Sequence, residues 1–414
     1  MINHLNAFDP DSQKLKKRVI YAWNYVEWGG AQIYTVALIR EARKYYDVLV
    51  VLPHGSSDEF IQLLDEEGIV HEFFEPKADL DPATTISRKF RRHLRKIRSE
   101  AALVRHLLKK DLRESILHID FTPQQSFLSL LRLCRHTQVF FTMHNSLPKF
   151  SRLKETVWAA KIRALTGTGH FHMFCANENA KDYLRLFVSD KDADSITVTR
   201  AGIDPKAISD ALGASFDRNK LVDKFEFPRK KTIVLTVGQF IDRKGRWPYL
   251  ETIRTICQKR KDILFIWLMP KLPIDSDKAK IDEYEVNENF KIVLSSDVGI
   301  RRSDILQFFR VADIYVLPSF VEGVPISLLE AMAIGLPSIS TRINGIPEAI
   351  ESGKTGLLVA PGDTVELKKA IVRLVDDPAL RKEFAAHGQA FVLSTFDELS
   401  AAGAAVTEYQ KFLG

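Results

Sequence analysis

Within Pro318-Ser319-Phe320-Val321-Glu322-Gly323-Val324-Pro325-Ile326-Ser327-Leu328-Leu329-Glu330-Ala331-Met332-Ala333, two glutamates stand with seven residues between them, across a loop that turns into a helix. Pro325 suits the first helical turn, where its missing N–H costs nothing. The backbone N–H groups of Gly323, Val324, Ile326 and Ser327 then face the mouth of the preceding strand, and Glu330 lies further in by about one to one and a half turns. Such a loop and helix start binds phosphate. With one carboxylate at the loop and another reaching ribose hydroxyls, it would read a sugar nucleotide. Taken alone, a pair of glutamates also suits helix capping and a solvated surface.

A second anion-binding turn is Trp28-Gly29-Gly30-Ala31, which follows an apolar run and opens the helical pattern Ile33, Val36, Ala37, Ile39, Arg40. Paired glycines there let the backbone approach a ligand closely; they also make a tight turn that binds nothing. Other patterns fall away. Gly353-Lys354-Thr355 resembles the end of a phosphate loop, but Glu348 occupies the position of the required earlier glycine. Three Asp-x-Asp pairs, at 79–81, 192–194 and 275–277, lie in polar stretches and do not follow a buried strand directly. His118, His136, His170 and His172 make no ligand pattern with cysteines, so no metal site is expected.

These residues need a scaffold, and the apolar runs supply one. Val19–Trp23, Val48–Leu52, Ile69–Phe74, Ile116–Ile119, Val139–Met143, Met173–Ala176 and Ile196–Thr199 alternate with helical patterns. The rhythm restarts at Thr232–Val237, Leu264–Met269, Lys291–Leu294, Ile314–Leu317, Ser338–Thr341 and Leu357–Val359. Continuous rather than alternating hydrophobicity suits parallel strands buried on both faces. The expected fold is α/β, with two doubly wound Rossmann-like domains facing a cleft. Residues 1–204 are expected to form the first domain, 205–228 a linker and 229–395 the second; the resemblance described below implies that the first is the acceptor-side domain and the second the nucleotide-sugar-binding domain. A final helix, 396–414, packs back on the first domain.

With 414 residues and 45% hydrophobic content, the chain is neither a single small module nor disordered. Cys134, Cys175 and Cys257 are too scattered for a disulfide framework, which favours a reducing cytoplasm. The polar start, Met1–Lys17, lacks the sections of a secretory signal, and apolar runs fall short of the ~20 residues a spanning helix needs. Net charge is +6, yet Arg88–Arg98 alone holds seven cations and no acid, leaving −1 for the remainder. Phe90, Leu94, Ile97, Ala101, Val104 and Leu108 recur at helical spacing among those cations. Arg88 to Lys110 therefore reads either as an anionic-membrane surface element, peripheral on the inner face, or as a core helix with a solvated back. Confinement to one segment without interleaved stacking aromatics argues against nucleic acid.

The span Ile314–Val359, with the two-glutamate segment, Gly335-Leu336-Pro337, Asn344-Gly345-Ile346-Pro347-Glu348 and Gly353–Val359, closely resembles the donor-binding half of the retaining GT-B glycosyltransferases of family four. Gly29-Gly30-Ala31, Thr142-Met143-His144-Asn145, Ala201-Gly202-Ile203-Asp204 and Val237-Gly238-Gln239-Phe240-Ile241-Asp242-Arg243-Lys244-Gly245 extend the likeness over most of the chain. The resemblance implies that Glu322 contacts the donor sugar, that Glu330 binds ribose, and that Lys244, with Arg243 beside it, balances the diphosphate. It also brings Gly29 and Gly30 near that diphosphate and His144 near the transferred sugar or the acceptor. The leaving diphosphate would take the acceptor proton on the same face, so catalysis is placement and charge stabilisation.

The implied activity is retaining, metal-independent hexosyl transfer from a UDP- or GDP-linked sugar to a glycan or lipid-linked acceptor, in cell-surface polysaccharide or lipopolysaccharide assembly, without a cofactor. Three positions depart from the family: Gln239 stands where Arg is usual, Ala201 where Asn is frequent, and Trp267-Leu268-Met269-Pro270 where a Gly-rich turn is frequent. Gln239 keeps open a non-catalytic scaffold or subunit on the same fold. A sugar-nucleotide epimerase or hydrolase would need further acid/base groups, and His144 is the one candidate.

Overall fold

The computed structural model describes residues 17–24, 26, 30–75, 86–145, 151–299 and 301–413, with backbone alone at 59 and 86–90. Two fully parallel sheets carry the chain. The first comprises β1 (Arg18–Ala22), β2 (Asp47–Pro53), β3 (His71–Phe74), β4 (Ser115–Ile119), β5 (Gln138–Met143), β6 (Phe171–Cys175) and β7 (Thr197–Val198), in the order β3-β2-β1-β4-β5-β6-β7. The second comprises β8 (Thr232–Val237), β9 (Ile263–Met269), β10 (Phe290–Leu294), β11 (Ile314–Leu317), β12 (Ser338–Thr341) and β13 (Leu357–Val359), in the order β10-β9-β8-β11-β12-β13.

Each sheet is buried on both faces, which is why its strands read as unbroken apolar runs. Along β1, Ile20 and Ala22 enter one core cluster while Val19 and Tyr21 enter another. Along β11, Tyr315 and Leu317 face one cluster while Ile314 and Val316 face its opposite. In each sheet the strand order reverses direction between two neighbours, β1 and β4 in the first, β8 and β11 in the second. Loops leaving the carboxyl ends of such strands form the crevice of a doubly wound sheet.

The chain passes between the sheets twice, and the two passages are bonded side by side. Ile203 N donates to Phe396 O at 2.8 Å, and Glu398 N donates to Ile203 O at 3.0 Å. Gly202 fits there because a Cβ would sit 2.6 Å from both Phe396 O and Glu398 N. The Glu398–Leu413 helix then returns to the first sheet, where Ala402, Ala405, Val406 and Tyr409 join the core around Val19, Tyr21 and Tyr34. Tyr409 Oη pairs with buried His118 Nδ1 at 2.5 Å, and His118 Nε2 pairs with Thr142 Oγ1 at 2.9 Å.

Two expectations change in detail. The 205–228 stretch, read as a linker, contains the helices Pro205–Gly213 and Arg218–Lys224, capped by the side chains of Asp204 and Asp217. Its Ile208, Ala211, Val222 and Phe227 are buried in the core of the second sheet. The basic segment is helical from Ile86 to Leu107, but among its described residues those buried are Ser99, Ala102, Leu103, Val104 and Leu107. Ala101 is exposed, as are Leu94 at 38% and Ile97 at 50%, because only the second half of the helix lies on the domain.

Candidate functional site

A cavity of about 810 Å³ lies between the two sheets, lined by Gly30, His144, Lys244, Glu322, Ile326 and Glu330, among others. Gly30 begins the Gly30–Ala42 helix after β1, and Ile326 begins the Ile326–Ile334 helix after β11. A Cβ on Gly30 would lie 3.9 Å from Ile326 Cδ1, so the two helix starts face each other across the cleft. The first N–H groups of a helix lack intrahelical acceptors and carry the positive end of its dipole, so two starts together favour an anion. Gly29 and Trp28 lie outside the described residues.

Pro325 proves to be the cap before the second helix, with φ −73° and ψ 122°, rather than its first residue. Val324 and Ile326 are buried, and the hydroxyl of Ser327 accepts a 2.9 Å hydrogen bond from buried Tyr315. Glu330 follows one turn into the helix and is 6% exposed. Burial raises its pKa, and the neighbouring Arg302 guanidinium, whose Nε donates to Oε1 at 2.9 Å, opposes that rise. A buried, paired carboxylate at a helix start suits a vicinal diol, which donates to it and leaves the charge compensated.

Glu322 is held from three sides. Ser319 Oγ donates to Oε1 at 2.8 Å, Lys244 Nζ lies 2.5 Å from the same oxygen, and Arg243 Nη1 approaches Oε2 at 3.7 Å. Lys244 is 8% exposed and reaches the site because Gly245 turns the chain at φ +73°, where a Cβ would overlap Pro318 O. Phe320 N donates to Arg243 O at 2.7 Å, stitching this turn to the glutamate loop. Gln239 lines the cavity beside them. Two cations and two helix starts thus surround one wall of the cavity, with carboxylates on either side.

His144 follows β5 on the opposite wall, half-buried, with its ring edge-on to Tyr34 at 5.1 Å between centroids. Burial pushes its imidazole pKa down, with Asp120 opposing, so it is neutral near pH 7 and offers one donor and one acceptor. Gly323 meets this wall directly. A Cβ there would overlap His144 O and crowd Asn145 Oδ1 at 2.8 Å. The structure therefore brings together every described residue singled out in the sequence: Gly30, His144, Arg243, Lys244, Glu322, Gly323, Val324, Ile326, Ser327 and Glu330.

Sequence reasoning missed Arg302, Ser319 and Asp120. Ser319 carried a signal, since its position three residues before Glu322 suits a loop hydrogen bond. Arg302 carried none, because nothing in local spacing ties it to Glu330, 28 residues away.

Residues 217–391 match the family model described as glycosyl transferases group 1. The amylovoran biosynthesis glycosyltransferase AmsK of Erwinia amylovora is 29% identical over 227 residues, 48% of this chain and 50% of its own. The UDP-Gal:alpha-D-GlcNAc-diphosphoundecaprenol alpha-1,3-galactosyltransferase of Escherichia coli is 25% identical over 218 residues, 49% of this chain and 54% of its own. The chain thus spans about half the length of the curated relatives it matches. In fold the likeness extends over nearly the whole chain: Anabaena HepE, solved in complex with UDP, superposes with a TM-score of 0.69 at 17% identity, covering 95% of this chain and 100% of its own. The chain thus has a GT-B fold of two Rossmann-like domains, and the stretch 217–391, which holds Lys244, Glu322 and Glu330, is similar to the glycosyl transferases group 1 family.

Proposed function

We propose that the protein is a retaining glycosyltransferase that moves a hexose from a UDP- or GDP-linked donor to a glycan or lipid-linked acceptor. The observation that carries this reading is the pairing of two helix starts, at Gly30 and Ile326, with Lys244 and Arg243 around one cavity wall. Such a wall suits a diphosphate, and its two flanking carboxylates suit the sugars at either end.

In this reading Glu330, steadied by Arg302, accepts hydrogen bonds from ribose hydroxyls. Glu322 accepts from hydroxyls of the donor hexose. Lys244 and Arg243 stabilise the negative charge that grows as the anomeric carbon–oxygen bond to the β-phosphate breaks. The acceptor oxygen bonds to the same face of that carbon, and its proton passes to the departing phosphate. Neutral His144 hydrogen-bonds a hydroxyl of the transferred sugar or the acceptor across the cleft. Cations and helix starts take the place a divalent metal would hold, which makes the reaction metal-independent.

The acceptor-side domain also supports work at a membrane on the cytoplasmic face. Arg91, Arg92, Arg95, Lys96 and Arg98 are all exposed, beside exposed Leu94 and Ile97. The Escherichia coli relative is named for a diphosphoundecaprenol acceptor, and the AmsK relative for amylovoran biosynthesis. Incubation with UDP- and GDP-sugars and lipid-linked acceptors in EDTA tests the proposal. Transfer with the anomeric configuration of the donor kept supports it; inversion or a strict manganese requirement contradicts it.

A further inference from the structure

A polar contact at the rim joins the two domains outside the cavity itself. Glu348, half-buried after β12, reaches across to the Glu178–Arg185 helix of the first domain. Its Oε2 accepts from Glu178 N at 3.1 Å and its Oε1 from Asn179 N at 2.9 Å. Those are the first two N–H groups of that helix, where a carboxylate is favoured. Asn177 caps the same helix, accepting from Ala180 N at 2.8 Å, and its Nδ2 donates to His144 O at 2.9 Å. One short ridge thus carries His144 on one side and the partners of Glu348 on the other.

The facing part of the second domain is equally tight. Gly345, three residues before Glu348, packs on the Gly323 carbonyl and the Val324 side chain so closely that a Cβ would lie 2.7 Å from Gly323 O. Gly323 in turn presses on His144 O, Asn145 Oδ1 and Asn177 Nδ2. Glu348, whose N–H donates to Gly345 O at 3.0 Å, is thus packed through Gly345 and Gly323 into one layer with Glu322. Glu178 does not compete for its own N–H, since its carboxylate turns to Arg200 at 3.1 Å.

We infer that Glu348 is a positioning residue: its carboxylate latches the donor-side domain to the start of the Glu178–Arg185 helix and sets the register of Glu322 and Gly323 against His144. The inference rests on the proposed transferase reading, but the latch itself is a property of domain closure. It acts on turnover and closure rather than on nucleotide contacts, which it does not make.

Three variants test it: Glu348→Ala, Glu348→Gln and Glu178→Pro. Proline is tolerated as the first helical residue and deletes one N–H partner, and the preceding Asn177, at φ −166° and ψ 164°, already has the extended backbone proline requires. Glu348→Ala should lower kcat by about two- to tenfold, the size of a helix-terminal carboxylate contact, and leave nucleotide diphosphate affinity within about twofold. Glu348→Gln should fall between it and the wild type. Small-angle scattering with nucleotide bound should show a larger radius of gyration for Glu348→Ala. Glu178→Pro should slow the wild type but add nothing in the Glu348→Ala background. Unchanged kcat and radius in Glu348→Ala, or equal costs of Glu178→Pro in both backgrounds, would overturn the latch. If the wild type transfers no sugar, the transferase reading fails, while the radius and the additivity of the two changes on closure still judge the latch.

Discussion

Lys244 and Glu322 form an ion pair of 2.5 Å whose side chains are only 10% and 7% exposed. Removing Lys244 leaves the nearly enclosed Glu322 charge with only the more distant Arg243, at 3.7 Å, as a cationic partner. Lys244→Met should therefore destabilise the protein by about 3 kcal/mol in urea unfolding, with part of the loss recovered in Lys244→Met/Glu322→Gln. Additive losses in the double variant would show that the two groups do not depend on each other.

Glu330 and Arg302 act at the other end of the cavity. Glu330→Ala should weaken nucleotide diphosphate binding by roughly tenfold to a hundredfold, the range of hydrogen bonds to a charged group, whereas Glu322→Ala should mainly lower turnover. Arg302→Ala leaves Glu330 buried without its guanidinium, so the carboxyl pKa climbs further above its ordinary range. Its ionised form is then lost as pH falls, and calorimetry on Arg302→Ala should show a steeper fall in affinity toward acid than in the wild type.

Glu398 opens the returning helix beside the paired chain passages, 4% exposed. Burial pushes its carboxyl up to about 7; Arg302 and Arg40 oppose the shift, while Asp204 and Glu330 add to it. Because the folded state holds this proton more tightly than the unfolded state, its stabilising effect is full below the ordinary carboxylate range and is lost as pH rises through about 7. Glu398→Gln should flatten that decline, making the variant more stable than the wild type at about pH 8 by about 1–3 kcal/mol. Parallel stability curves for the two proteins would refute this.

Much of the fold was legible because its strands are buried on both sides. Ile314–Leu317, Ser338–Thr341 and Leu357–Val359 coincide with their apolar runs, and the site residues follow the ends of such runs. The helices at 205–228 were missed although Asp204-Pro205 is a local helix start, an N-cap followed by proline at the first turn. The register of the basic helix was not legible, since periodicity reports an apolar face but not how much of the helix a domain covers. Glu348 stood in a quoted motif without a role, because its partners are backbone N–H groups about 170 residues away in the other domain.

Arg91, Arg92, Arg95 and Lys96 are exposed on a helix half that also exposes Leu94 and Ile97. Near an anionic bilayer each cation contributes about 1 kcal/mol before screening. Replacing the four with Ser or Gln should reduce sedimentation with anionic liposomes at low salt and leave nucleotide binding intact. Equal sedimentation of both proteins, or none for either, would return this helix to a solvated surface.

A nucleotide diphosphate seated between Gly30, Lys244 and Glu330, as proposed, is tested most directly by the melting temperature with UDP, GDP, ADP or TDP in EDTA. Binding at a hundred times Kd stabilises by about 2.7 kcal/mol, so UDP or GDP should raise the transition clearly in the wild type and weakly in Glu330→Ala. No shift with any of the four, or an equal shift in Glu330→Ala, would contradict it.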